Sequence, residues 1–235
     1  MRSVSLLMMF CAAASAQMPE KFTNLQFFPK DISRQELMGI MRTFSFSVGV
    51  RCTSCHEAKP DGSTDFATDS KDMKKTARLM LQMVQNLNHD YIGKLAGSPR
   101  VECATCHHGL SKPQSLQSVL ANELDSKGLP AAITLYRELR KRYYGGGQYD
   151  FGETSLNQLT ESLQAKHKTQ EAVAFMELND EVNPLTGWGK NLLAMSHLAN
   201  GQTDKALADF EAIVQKNPND TWAKGELEKL KSAKK

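Results

Sequence analysis

Cys52-Thr53-Ser54-Cys55-His56 and Cys103-Ala104-Thr105-Cys106-His107 are two copies of one pattern, C-x-x-C-H. Two thiols three positions apart reach two vinyl groups on one edge of a porphyrin. The adjacent His then turns an imidazole nitrogen towards the iron, so the run reads as covalent c-type haem attachment. A redox dithiol or half a zinc site also uses paired cysteines, but neither needs a His immediately after both pairs. The chain is therefore expected to bind two haems c, tethered by Cys52, Cys55, Cys103 and Cys106, with His56 and His107 as proximal ligands.

Composition leaves room for this and excludes other classes. Of 235 residues, 40% are hydrophobic and 23% charged, ordinary for a globular chain. A formal charge of +3 is too small to argue for nucleic acid. Four of the five cysteines belong to the haem motifs, so no disulfide framework remains. The fifth, Cys11, sits in an N-terminal stretch with Arg2 as a basic flank and an apolar run from Val4 to Ala14. Ala14-Ser15-Ala16 is a small-x-small cleavage site, and the run is too short to span a bilayer. Residues 1–16 are thus read as a signal peptide cleaved near Ala16, with export to the periplasm or beyond. A lipid anchor at Cys11 is the competing reading, and bulky Phe10 before it disfavours that.

Outward from the motifs the pattern is helical. Phe22, Phe27 and Phe28 lie in a Pro-punctuated arm expected to pack on the domain. Ser33-Arg34-Gln35-Glu36 is a capping box, and Leu37, Met41, Phe44 and Val48 then form one apolar stripe that Gly49 is placed to end. A polar loop, 57–70, precedes an expected long helix from Lys71 to Leu95, whose stripe is Met73, Ala77, Met80, Val84, Leu87 and Tyr91. Helix, turn, C-x-x-C-H is used twice. An iron held by one His needs a sixth ligand, and a Met thioether is the electron-transfer choice. Met41 and Met80 lie on the two stripes. Met38, Met83 and His89 are the alternatives, and His108 is expected at the surface or behind the ligands.

Met41-Arg-Thr-Phe-Ser-Phe-Ser-Val-Gly-Val-Arg-Cys-Thr-Ser-Cys-His56 resembles the helix-plus-haem unit of the photosynthetic reaction centre cytochrome c subunit family. Ala77-Arg-Leu-Met-Leu-Gln-Met-Val-Gln-Asn-Leu-Asn-His-Asp-Tyr91, with Val101-Glu-Cys-Ala-Thr-Cys-His-His-Gly-Leu-Ser-Lys-Pro113, resembles its next unit. The likeness covers residues 33–113. It implies that each helix supplies Met to the haem of the motif next along the chain, Met41 to the first and Met80 to the second. The family's subunit has four haems and this chain has motifs for two. Where one of the family's haems takes a distant His, Lys94 stands here.

After Pro113 a second pattern begins. Ala172 and Ala206, Met176 and Phe210, and Pro184 and Pro218 recur at 34 residues, the tetratricopeptide period of helix-turn-helix units. Ala132 and Tyr136 keep the same inner spacing in an earlier partial unit, 128–144. The Gly145-Gly-Gly147 tract breaks it from the later units, and a helix from Thr221 to Leu230 is expected to cap the array. Trp188 and Trp222 are read as core or cap residues.

The expected fold is mainly α: a haem-packed helical c-type cytochrome domain over 17–118, then a short tetratricopeptide-like α-solenoid over 119–235. The expected function is electron carriage, without enzymatic turnover, between redox partners: a redox protein or membrane electron-transfer complex. The tail would bind a peptide or partner protein. A dihaem peroxidase and a scaffold with structural haems are the alternatives from other classes.

Overall fold

In the structure, a computed structural model, residues 21–97 and 100–233 are described. The proposed leader, its cleavage site and Cys11 lie outside the described residues. The chain divides into two compact units, Met1–Pro113 and Gln114–Lys235. It is mostly helical, as the periodicity predicts. No helix among the described residues is long and apolar enough to cross a membrane.

In the first unit, α1 spans Arg34–Val48. Ser33 stands extended ahead of it, and its Oγ accepts the Glu36 N–H at 3.2 Å, satisfying one of the orphan donors of the first turn. The helix ends where Gly49 turns left-handed, φ 65°. There Val50 N–H returns to the Ser45 carbonyl at 3.1 Å and Gly49 N–H to Phe46 at 3.3 Å, the Schellman pair. Gly49 has a second reason to lack a side chain, because a Cβ there would collide with the Gly109 carbonyl. Gly109 N–H in turn donates to the Ser47 carbonyl at 2.9 Å. The end of the first helix is thus stitched to the chain just past the second haem motif.

The short α2, Cys52–Cys55, carries the first cysteine pair. The segment expected as plain loop then contains a two-stranded antiparallel ribbon, Glu57–Ala58 (β1) against Thr64–Asp65 (β2). Strands of two residues carry no periodic signal in a sequence. Next, α3 runs from Asp72 to Asn86, and the chain continues as a π-turn, Leu87–Tyr91, and a 3₁₀ turn, Ile92–Lys94. The single helix expected to reach Leu95 is therefore broken in its winding. Asn88 breaks it: its Nδ2 takes the Val84 carbonyl at 3.0 Å, which a regular α-helix would reserve for backbone. The same amide grips Val101 both ways, donating to its carbonyl and accepting its N–H, each at 2.8 Å. That grip fixes the approach to α4, Cys103–His107, where Glu102 and Thr105 form a reciprocal capping box. The α4 helix packs on α1, and α2 packs on α3.

The second unit holds α5 (Leu116–Lys127), α6 (Leu129–Tyr143), α7 (Glu153–Ala165), α8 (Thr169–Val182), α9 (Gly187–Ala199), α10 (Thr203–Lys216) and α11 (Thr221–Ala233). They pair as α5–α6, α7–α8 and α9–α10, and α5, α7 and α9 stack in sequence. The helices α7, α9 and α11 start at Glu153, Gly187 and Thr221, and α8 and α10 at Thr169 and Thr203, all at the 34-residue step. Ala132, Ala172 and Ala206 are fully buried, as are Tyr136, Met176 and Phe210 four residues after each. Small Ala brings paired helices close, and the large neighbour fills the space beside it. Hydropathy does not disclose the fully buried Asn157 and Asn179, whose amides bond at 2.9 Å. Asn179 also donates to the Glu153 carbonyl at 3.0 Å, so both buried amides are partnered. Trp188 and Trp222, expected in core or cap, are nearly half exposed; Trp222 stacks edge-on to Phe210.

The Gly49 junction predicts a difference between two glycines with positive φ. Gly49→Ala should lower unfolding free energy by more than the ~1–3 kcal/mol that a left-handed non-glycine residue costs. Gly62→Ala, at φ 82° but in open space, should cost no more than that range. Denaturant titration of both variants checks it.

Candidate haem sites

A cavity of about 450 Å³ lies within the first unit, in the range of cofactor pockets. The arm contributes Phe22 to Phe28, α1 contributes Leu37 and Met41, and α3 contributes Lys74, Ala77, Arg78 and Leu81. His56, at the end of the first haem motif, and Phe66 complete the wall. Met41 and His56, carried on different elements, therefore line one cavity. The His56 ring is held edge-on to Phe66, centroids 5.0 Å apart. Its Nδ1 is buried with no bonded partner. Burial pushes the His56 pKa down, and the nearby cations Lys74 and Arg78 push it further, which favours the neutral imidazole that a metal ligates. Met38 is half-buried on α1, outside this cavity's lining.

One wall of the cavity is a polar cluster that hydropathy alone does not disclose. Lys74 is only 8% exposed, and its ammonium donates to the carbonyls of Phe66, Ala67 and Thr68 at 2.9, 3.1 and 2.7 Å. It also pairs with Asp69 at 3.1 Å. Arg78 donates to Asp69 at 2.6 Å and to the Asn24 carbonyl at 3.3 Å. Asn24 and Gln26 of the arm donate to the same carboxylate at 2.9 and 3.3 Å. Asp69 thereby ties the arm, the loop and α3 together. The Arg78 guanidinium, then Asn24 and Lys74, hold its carboxyl well below the usual carboxylate range. A signal was available: Lys74, Ala77, Arg78 and Leu81 fall at i, i+3, i+4 and i+7, one helical face. The cavity face of α3 is therefore rotated from the expected apolar stripe. Of that stripe it shares Ala77, while Met73, Met80 and Tyr91 are exposed.

The second motif is arranged differently. His107 Nδ1 lies 2.7 Å from the Leu110 carbonyl, a bond that fixes the ring and leaves Nε2 free to ligate. Met80 and Met83 are 38% and 48% exposed on α3, and the cavity joining Met41 to His56 does not extend to Met80 or His107. His89 lies in the π-turn, exposed and paired with Asp90 at 2.7 Å. His108 is exposed and left-handed, φ 47°.

Burial pushes the Cys55 and Cys103 thiols up. Haem tests well against the first site, which offers an unpartnered buried imidazole nitrogen, a thioether in the same cavity and aromatic walls.

Comparison with known proteins agrees with the class these features define, the c-type cytochromes. Residues 23–124 match the family model described as photosynthetic reaction centre cytochrome C subunit, which establishes the resemblance for that segment. The photosynthetic reaction center cytochrome c subunit of Rubrivivax gelatinosus is 31% identical over 96 residues, covering 35% of this chain and 25% of that protein. That of Thermochromatium tepidum is 34% identical over 87 residues, covering 32% and 21%. Cytochrome c-554 of Chloroflexus aurantiacus is 29% identical over 113 residues, covering 43% and 26%. The chain spans about a quarter of the length of these relatives. The family match ends within α5, so the 34-residue helix pairs lie beyond it.

The Asp69 cluster has a pH signature. A carboxylate whose folded pKa is depressed contributes stability that is present above its unfolded value and lost as pH falls towards the folded one. Asp69→Asn should therefore destabilise the protein at pH 7, and the gap from wild type should shrink below the ordinary value of 3.8. Thermal unfolding of both proteins across pH 2.5–7 measures the gap, with that window set about the unfolded carboxylate pKa, about 3.9.

Proposed function

We propose that the chain is an exported dihaem c-type cytochrome that carries electrons between redox partners, and that its helical tail docks it to one of them. The observation that carries this reading is the single cavity lined by both Met41 and His56. A site that would supply both a His and a Met ligand suits electron transfer, because nothing need enter or leave when iron changes oxidation state.

In this reading Cys52 and Cys55 tether the first haem as thioethers, His56 and Met41 ligate its iron, and Phe22, Phe27, Phe28 and Phe66 exclude water. Cys103 and Cys106 tether the second, with His107 and Met80 as ligands, and Met83 or His89 as alternatives. Haem supplies a one-electron iron couple when bound. The residues of this chain set its potential through ligation, burial and hydrogen bonding. The Leu110 carbonyl orients His107, and the Asn88 clamp on Val101 positions the second tether.

The family match supports haem c, and the two C-x-x-C-H runs support two of them. The domain reading is a leader over 1–16, a dihaem domain over 17–118 and a tetratricopeptide-like tail over 119–235. The tail's docking role is supported by the 34-residue step of its helix pairs, a spacing typical of protein-binding arrays. Its partner is a redox protein or a membrane electron-transfer complex.

Met41→Ala should remove the Met-ligation signature of one haem, leave that of the other, and lower the affected potential. Visible and magnetic circular dichroism spectra of the oxidised protein read the ligation. Both Met signatures surviving would sink the axial assignment. Rapid hydrogen peroxide turnover by the wild type would favour the peroxidase alternative instead.

A further inference from the structure

Lys74 is the unusual residue of the first site. A lysine at 8% exposure must have its charge compensated, and here three backbone carbonyls and Asp69 do so. Lys74 takes the Phe66 carbonyl at 2.9 Å, and the Phe66 ring lies edge-on to the His56 imidazole in the wall of the same cavity. His56 Nδ1 is buried without a bonded partner. The second motif differs, since His107 Nδ1 has the Leu110 carbonyl at 2.7 Å.

Two physical effects then act in the same direction at the first site. An imidazole whose Nδ1–H meets a strong acceptor is a more basic ligand and favours the higher oxidation state. His56 lacks such an acceptor and His107 has one, so His56 donates less. A cation in a poorly solvated wall also disfavours the oxidised iron, which carries one more positive charge than the reduced iron. Lys74 supplies that cation, and Asp69 opposes it, since its carboxylate offsets the charges of Lys74 and Arg78.

We propose that Lys74, a buried cation in the wall of the cavity that His56 and Met41 line, raises the reduction potential of the first haem site, and that Asp69 trims it. The inference rests on the electron-carrier reading above. It makes Lys74 a tuning residue, one that acts on the iron through its charge without binding it.

The test is potentiometric titration of the full-length holoprotein, followed by haem absorption. One electron from the chemical reductant converts ferric to ferrous iron at each site, with no bond made or broken. Lys74→Met should lower one couple by tenfold or more in its reduction equilibrium, about 59 mV for a one-electron couple. Asp69→Asn keeps the shape and removes the negative charge, so it should raise the same couple. Lys74→Arg should stay close to wild type, and the second couple should stay put throughout. Loss of packing alone would move both neutralising variants the same way, which overturns the proposal, as does insensitivity of both couples. If Lys74→Met fails to fold, the direction of the Asp69→Asn shift decides. A wild type with no reversible couple overturns the carrier reading and this proposal with it.

Discussion

The first unit depends on one carboxylate. Asp69 receives Arg78 and Lys74 from α3 and Asn24 and Gln26 from the arm, while Lys74 binds the three carbonyls that precede Asp69. Phe28 of the arm meets Phe44 of α1, ring centroids 6.3 Å apart. The converging hydrogen bonds then tie the arm to the loop and α3 beside the space shared by Met41 and His56. The groups that tie these segments together also place charge in the cavity wall that His56 shares.

Much of this was legible from residues. Ser33 and Gly49 bound α1 because cap chemistry is local, and Leu37 and Met41 point inward because a 3.6-residue period is unambiguous over four turns. The C-x-x-C-H runs point to haem c by their spacing, and the family match over residues 23–124 agrees with that class. The Ala and large-residue pairs of the tail were readable for the same reason, since a repeat tests itself.

Beyond the two-residue strands and the exposed tryptophans, what escaped the sequence has a common cause. These features are polar groups used internally, and hydropathy assigns such groups to water. Lys74 and Arg78 line a cavity, which rotates the working face of α3 away from the Met73–Tyr91 stripe. Asn88 spends its amide on Val84 and Val101 and so converts the end of a helix into a π-turn. Asn157 and Asn179 meet in the middle of the tail. Such pairings join residues distant in sequence, and no local window contains both partners.

The central claim is that both C-x-x-C-H runs are haem tethers. Intact mass spectrometry with peptide mapping, on protein exported by a host competent for covalent haem attachment, tests it directly. The account predicts two haem additions, one on the peptide holding Cys52 and Cys55 and one on that holding Cys103 and Cys106. Free thiols or a disulfide at either pair in the mature protein would contradict it.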